Sequence, residues 1–293
     1  VTGSLGHIGS YLIKEIPKKI KCSIVMLDSF KTQRYCSLFN LPKKNNYTFI
    51  QSDVRNLNNF SKKIGKIDVV VHLAALTDAT NSFENGKEFI KTNFSSTYQV
   101  LKFCKKKKSK LIYISSTSIY GSQDLTVDED CDIKKLKPQS PYAISKLKEE
   151  NLILKEASKF KLKCILLRFG TIYGISKGMR FHTAVNKFCF QAAFNEPLTV
   201  WKTALNQKRP YLDIIDASRC LCFILKKNIF DNNVYNILTH NLTVSNIIKI
   251  IKKHCKSAKF KFVSSKIMNQ LSYDVKNSKF KAKGFKYKGN INQ

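Results

Sequence analysis

Along the first two-thirds of the chain, short β-branched and aliphatic runs alternate with longer stretches whose apolar positions recur every three or four residues. The runs Ser23–Asp28, Tyr47–Ser52, Val69–Leu73, Leu111–Ser115 and Lys163–Arg168 predict strands. The stretches near 9–18, 56–64, 86–106 and 141–159 predict helices between them. Strands that are apolar at consecutive positions are covered on both faces, and strands separated by helices pair in parallel. Right-handed crossovers then wind the helices over both sides of one sheet. The expected fold class is α/β, a doubly wound parallel sheet. From about Gly170 the rhythm breaks. Segments 170–212 and 236–293 are more irregular and flank a helical stretch, Ile214–Lys227, that reads as a return to the sheet.

Composition adds limits. With 293 residues, 43% of them hydrophobic and 25% charged, the chain can bury a large core and is too apolar for disorder. No apolar run approaches the roughly 18 residues of a membrane span. The net charge of +32 suggests an anionic partner, yet only six of the 52 basic residues are Arg and the Lys are spread from end to end. Such lysines suit solvated positions, and Lys105–Lys108 suits the end of a helix, where cations meet the dipole. Readers of nucleic acid favour Arg for bidentate contacts. The expectation is therefore no specific nucleic-acid partner and no membrane. Nine Cys without a CxxC pair, and five dispersed His (His7, His72, His182, His240, His254), give neither a disulfide framework nor a metal site. Cys220 and Cys222 fall in an apolar helical stretch and read as core. A reducing cytoplasm is expected. The chain opens inside a motif at Val1-Thr2, so the first strand is expected to begin upstream, where any targeting signal would also lie.

That motif is Thr2-Gly3-Ser4-Leu5-Gly6-His7-Ile8-Gly9-Ser10. Glycines three apart at the start of a helix let the backbone turn tightly and approach a pyrophosphate, which the helix N-terminus attracts. Gly9 allows close packing of helix on strand. Asp28 ends the next strand, where a carboxylate can hold both ribose hydroxyls of adenosine and repel a 2′-phosphate. NAD is expected over NADP. Asp53-Val54 follows the third strand, near the adenine, and Leu73-Ala74-Ala75 ends the fourth with small residues that leave room for the cofactor. His72 reads as a packed, hydrogen-bonded histidine rather than a catalyst. The expected division is an NAD-binding Rossmann domain of residues 1–169 plus 213–235 and a smaller, discontinuous C-terminal substrate domain of 170–212 plus 236–293.

Tyr142 and Lys146 stand four apart, which on a helix places them on one face, a turn apart. Ser140-Pro141 supplies an N-cap and a first-turn proline. A phenol is a base only when its anion is favoured, and a nearby ammonium and a nicotinamide cation both do that. Lys146 can also bond the nicotinamide ribose. Ser115-Ser116-Thr117-Ser118-Ile119-Tyr120-Gly121 closes the fifth strand at the carboxyl edge of the sheet, where such folds bind ligands.

The Thr-Gly-x-x-Gly-x-x-Gly loop, Asp28, His72-Leu73-Ala74-Ala75, Asn93, Ser-Ser-x-x-x-Tyr-Gly and Tyr-x-x-x-Lys together resemble the NAD-dependent epimerase/dehydratase family of extended short-chain dehydrogenases, of the UDP-glucose 4-epimerase-like kind. Later matches are Leu167-Arg168…Tyr173-Gly174, Arg209–Asp216, Val234–Ile237 and Lys283-Gly284-Phe285. The resemblance implies Ser116, Tyr142 and Lys146 as the catalytic set. It implies Gly3, Gly6, His7, Ile8, Gly9, Asp28, Asp53, Val54, Leu73, Ala74, Ala75, Asn93, Tyr142 and Lys146 toward NAD. Toward a nucleotide sugar it implies Ser116, Thr117, Tyr142, Thr171 and Arg209, the last on the diphosphate. Dehydratases of the family carry Asp-Glu after the catalytic hydroxyl; here those positions are Thr117-Ser118, which points to C4 epimerisation of an NDP-hexose. An acid from elsewhere, such as Asp78 or Asp124, would reopen dehydration. Thr171 stands where the family has Asn, and no Arg-x-Gly-Asp occurs near Ser264–Ser272. The alternatives are dehydratase, decarboxylase or reductase chemistry, or an idle Rossmann protein binding NAD or RNA. A homodimer is compatible with the family.

Overall fold

The consecutive apolar positions of the predicted strands have the consequence expected of them, because alternate residues of one strand are buried on opposite sides. In β4 (Lys110–Ser116), Ile112 and Ile114 pack into one core cluster while Leu111 and Tyr113 pack into another. In β5 (Cys164–Phe169), Ile165, Leu167 and Phe169 face the first cluster, and Cys164 and Leu166 the second. The computed structural model describes residues 1–43, 46–77, 81–123, 126–264 and 272–292. Asp78, Asp124 and most of the Ser264–Ser272 stretch lie outside the described residues.

Strands β1 (Ile24–Asp28) and β2 (Tyr47–Gln51) pair in parallel, and β3 (Val69–His72), β4, β5 and β9 (Val234–Ile237) form a parallel four-stranded array. Thr2 joins the two groups through parallel bridges to Leu27 of β1 and His72 of β3. The order is thus β2-β1-Thr2-β3-β4-β5-β9, a doubly wound Rossmann sheet. Helices α1 (His7–Lys19) and α5 (Ile214–Lys227) pack together over one face, with α2 (Gly86–Lys107) and α3 (Pro141–Phe160) over the other. Lys105, Lys106 and Lys107 occupy the last turn of α2, and Cys220 and Cys222 are buried in α5.

One predicted helix is corrected. Residues 56–64 do not form an α-helix; the chain makes a 3₁₀ helix over Val54–Phe60, N-capped by Asp53. Its buried residues, Val54 and Leu57, are three apart, which is the 3₁₀ repeat, and Asn56, Asn58 and Asn59 offer no apolar stripe to an α-helix.

The later segments build a smaller unit beside the sheet. Strand β8 (Lys208–Asp213) runs between β6 (Thr171–Tyr173) and β10 (His240–Thr243), while β7 (Leu198–Trp201) pairs with β11 (Phe260–Val263). Helices α4 (Ala184–Ala193) and α6 (Val244–His254) pack on each other and share a third apolar cluster. The tail returns to the Rossmann half. Phe280, on α7 (Ser278–Lys281), and Phe285 lie in the core with Tyr235, although residues 236–293 were expected on the substrate side. Buried Asp216 fixes that return by accepting the Lys288 and Gly289 backbone N–H groups, both at 2.8 Å. Among the described residues, no helix is long and apolar enough to cross a membrane.

Candidate active site

The carboxyl ends of the central strands open onto two cavities of about 380 and 160 Å³ that share Gly3, Gly6, Leu73, Ala75 and Arg180 in their walls. The glycine loop forms the shared wall. Gly3 has φ +65° and lies so close to β3 that a Cβ there would meet Ala74 N at 2.7 Å. At Gly9 a Cβ would meet Gly3 O at 2.3 Å, so a side chain would force α1 away from the loop. His7 and Ile8 line the larger cavity, as do Gly3, Gly6 and Gly9. His7 Nε2 bonds Gly174 O at 2.8 Å, and Ser176 Oγ donates to His7 O, tying the smaller unit to α1. Burial pushes the His7 imidazole down to about 4 against the opposing pull of that bond, leaving it neutral.

Asp28, Asp53, Val54, Ala74 and Asn93 line the smaller cavity. Asp28 accepts the Leu5 N–H of the glycine loop at 3.0 Å and the Phe30 N–H at 3.1 Å. Asp53 is engaged by Arg55, whose guanidinium approaches to 2.8 Å and holds the carboxyl below its usual range. The Asn93 amide is taken up by protein, accepting from Leu76 N and donating to Leu76 O and Ser145 Oγ, which ties the end of β3 to α2 and α3. His72 is buried between Thr2 Oγ1 at 2.8 Å and Thr97 Oγ1 at 3.2 Å, and burial pushes it down to about 3.

At the larger cavity, Ser140 caps α3 by accepting from Ala143 N, and Pro141 occupies the first turn. Tyr142 and Lys146 therefore emerge together at its wall, with the Lys146 ammonium 6.0 Å from the Tyr142 ring centre. Ser116 and Ser118 share a hydrogen bond at 2.9 Å between their hydroxyls, while Thr117 is buried and turned toward Phe169 O and Tyr273. Thr171 and Arg209 line the same space, Arg209 donating to Gln207 at 3.1 Å. Behind this wall Arg168 and Glu150 form a buried ion pair at 2.7 Å, and Arg168 also reaches Tyr120 Oη at 2.9 Å. The strand-end motif is thereby pinned to the helix bearing Tyr142.

Sequence reasoning passed over Arg180, which lines both cavities and donates to Thr77 Oγ1, and His182 and Lys187 nearby. It also passed over Glu149, buried beneath Lys146. Arg180 carried a signal. In a chain with six Arg, an Arg in an irregular segment after a strand is more informative than any Lys.

A doubly wound sheet with a glycine loop, a strand-end acid and a helix-borne Tyr-Lys pair at the same edge defines a Rossmann-fold dinucleotide enzyme of the short-chain dehydrogenase type. Residues 1–237 match the model of the NAD-dependent epimerase/dehydratase family, and the chain belongs to that family. Over 265 residues it is 34% identical to a dTDP-D-glucose 4,6-dehydratase of Dictyostelium discoideum, covering 84% of this chain and 59% of that protein. The chain thus spans less than two-thirds of that relative's length. It is similar to the UDP-glucuronic acid 4-epimerase of Bacillus cereus solved with UDP-glucuronic acid and NAD, at 29% identity and TM-score 0.87, over 99% of this chain and 94% of that one. A dTDP-glucose 4,6-dehydratase of Streptomyces venezuelae, 20% identical, shares the fold at TM-score 0.87 over 99% of this chain and 91% of that one. The family's cofactor is NAD, and the residues present fit it. The glycine positions leave a cradle that Cβ atoms would fill, and Asp28 lines the smaller cavity beside it.

Proposed function

We propose that this chain catalyses C4 epimerisation of an NDP-hexose with a transiently oxidised sugar. When bound, NAD supplies the hydride acceptor and donor. The Gly3–Gly9 loop and the α1 N-terminus would hold its diphosphate, and Asp28 its adenosine ribose. Tyr142 takes the proton of the C4 hydroxyl, and Lys146 stabilises the anion formed when Tyr142 has released its own proton. Ser116 donates a hydrogen bond to the C4 oxygen. The cavity would let the keto-sugar turn so that its other face could take the hydride back, while Tyr142 returns the proton. Arg209, with Arg180 and Lys187 nearby, offers cations to the substrate diphosphate.

The observation that carries this reading is the makeup of the larger cavity. Ser116, Tyr142 and Lys146 all line it, and no Asp or Glu among the described residues does. Elimination of water needs an acid and a base beside the hydride step, and Thr117 and Ser118 supply no carboxyl group. The cationic lining also favours a substrate richer in negative charge. The test incubates the enzyme and a Tyr142→Phe variant with UDP-glucose, UDP-galactose, UDP-glucuronate and the N-acetylhexosamine nucleotides, with products resolved by NMR. Inversion at C4 that the Phe variant loses supports the reading. A 4-keto-6-deoxy sugar or a pentose product contradicts it.

A further inference from the structure

Beneath the cavity wall lies a buried acid that the proposed chemistry does not use. Glu149 follows Lys146 by three residues, with 1% of its side chain exposed against 5% for Lys146, and its Oε2 lies 3.7 Å from the ammonium. The same oxygen accepts from Tyr113 Oη at 2.9 Å and from Thr97 Oγ1 at 2.5 Å. Lys146 in turn donates to Tyr113 Oη at 3.2 Å and Ile114 O at 3.1 Å. Glu149 Oε1 is buried without a hydrogen-bond partner.

We propose that Glu149 is a positioning residue for the reaction: its carboxylate is the buried counter-charge that holds the Lys146 ammonium against Tyr113, and it acts on Tyr142 only through Lys146. This rests on the role assigned to Lys146 above. If Glu149 served only to tie α2, α3 and β4 together, its charge would be superfluous, since both donors enter one oxygen that a glutamine amide could equally offer. A buried carboxylate left without a cation is strongly destabilising, and so is a buried ammonium left without an anion. The other groups facing the pair do not supply that counter-charge. From β4 comes Tyr113, whose phenol is pushed well above its usual range by burial and by the Glu149 charge, so it remains a neutral donor. From β3 comes His72, neutral by burial. Helix α2 contributes Thr97, and α3 contributes Tyr142 and Glu150, the latter paired with Arg168.

The experiment measures kcat and KM of the NAD-loaded enzyme from mildly acidic to alkaline pH for wild type, Glu149→Gln, Glu149→Asp and Lys146→Met. In Glu149→Gln, kcat should fall by about tenfold or more, with KM for the nucleotide sugar changed by less than about twofold. The loss should steepen as pH rises, because an ammonium without its counter-charge releases its proton sooner. Glu149→Asp, which keeps the charge but draws it back by one methylene from an ammonium already 3.7 Å away, should lose less rate than the Gln variant and show the same alkaline steepening in weaker form. A Gln variant with the wild-type pH profile, or a loss uniform across pH that merely tracks a lower melting temperature, would overturn the inference. Should the Gln variant not fold, Glu149→Asp carries the test: a partial loss with the same alkaline steepening supports the inference, and an unaltered profile defeats it. A fully active Lys146→Met would remove the catalytic reading itself, whereas an inactive one beside an unaffected Glu149→Gln removes only this inference.

Discussion

Mild acid should destabilise the fold through two neutral, buried histidines, and the size of the effect follows from their surroundings. His72 is pushed to about 3 and His7 to about 4 by burial, from an ordinary value of 6.5. Both folded values lie below the unfolded one, so the unfolded chain binds more protons and stability rises with pH. The contribution is fully present above pH ~6.5 and is lost as pH falls toward the folded values. Integrated from pH ~6.5 to ~5, each histidine accounts for about 1.6 kcal/mol, roughly 3 kcal/mol together. Against a typical total stability of about 5–15 kcal/mol, that is a large share. Urea unfolding followed by circular dichroism at several pH values measures it, and His72→Gln isolates one member, since every other titrating group is common to both proteins. The acid loss in the variant should shrink by about 1.6 kcal/mol whatever its stability at neutral pH. An identical pH slope in wild type and variant would refute the reasoning, because His72 could then not be the neutral partner of Thr2 and Thr97.

Two further outcomes are expected. Arg168→Met leaves Glu150 buried without its cation and should cost about 3–5 kcal/mol by chemical denaturation, with much of the loss recovered when Glu150→Leu is added; a loss under about 1 kcal/mol would show that the pair is not buried as described. NAD should bind more tightly than NADP in calorimetric titration, since the 2′-phosphate would meet Asp28, and a preference for NADP would displace Asp28 from the ribose.

The doubly wound sheet was legible because burial on both faces leaves strands such as the one through Leu111, Ile112, Tyr113 and Ile114 hydrophobic at consecutive positions, a pattern that survives without knowledge of partners. The helix at Pro141 was legible from local chemistry alone, as Ser140 and Pro141 mark its start and so fix where Tyr142 and Lys146 emerge. Residues 54–60 misled because a short polar segment with two buried residues three apart scores as a weak α-helix until its 3₁₀ geometry is seen. The return of Phe280 and Phe285 to the first core could not be read locally. It depends on Asp216 gripping backbone N–H groups more than seventy residues away. Glu149 was hidden for a related reason, since Lys148-Glu149-Glu150 looks like a solvated charge run. Only the packing of α3 against β4 shows that two of those three residues face inward, Glu150 toward Arg168 and Glu149 toward Lys146.

The fate of a single hydrogen tests the central claim most directly. NDP-hexose deuterated at C4, turned over by the NAD-loaded enzyme, should give product inverted at C4 with the deuterium still on C4, and no NADH should accumulate at 340 nm. Deuterium found at C6 of a 4-keto-6-deoxy sugar, or carried off in one equivalent of reduced cofactor per sugar, would contradict the assignment of this cavity to epimerisation.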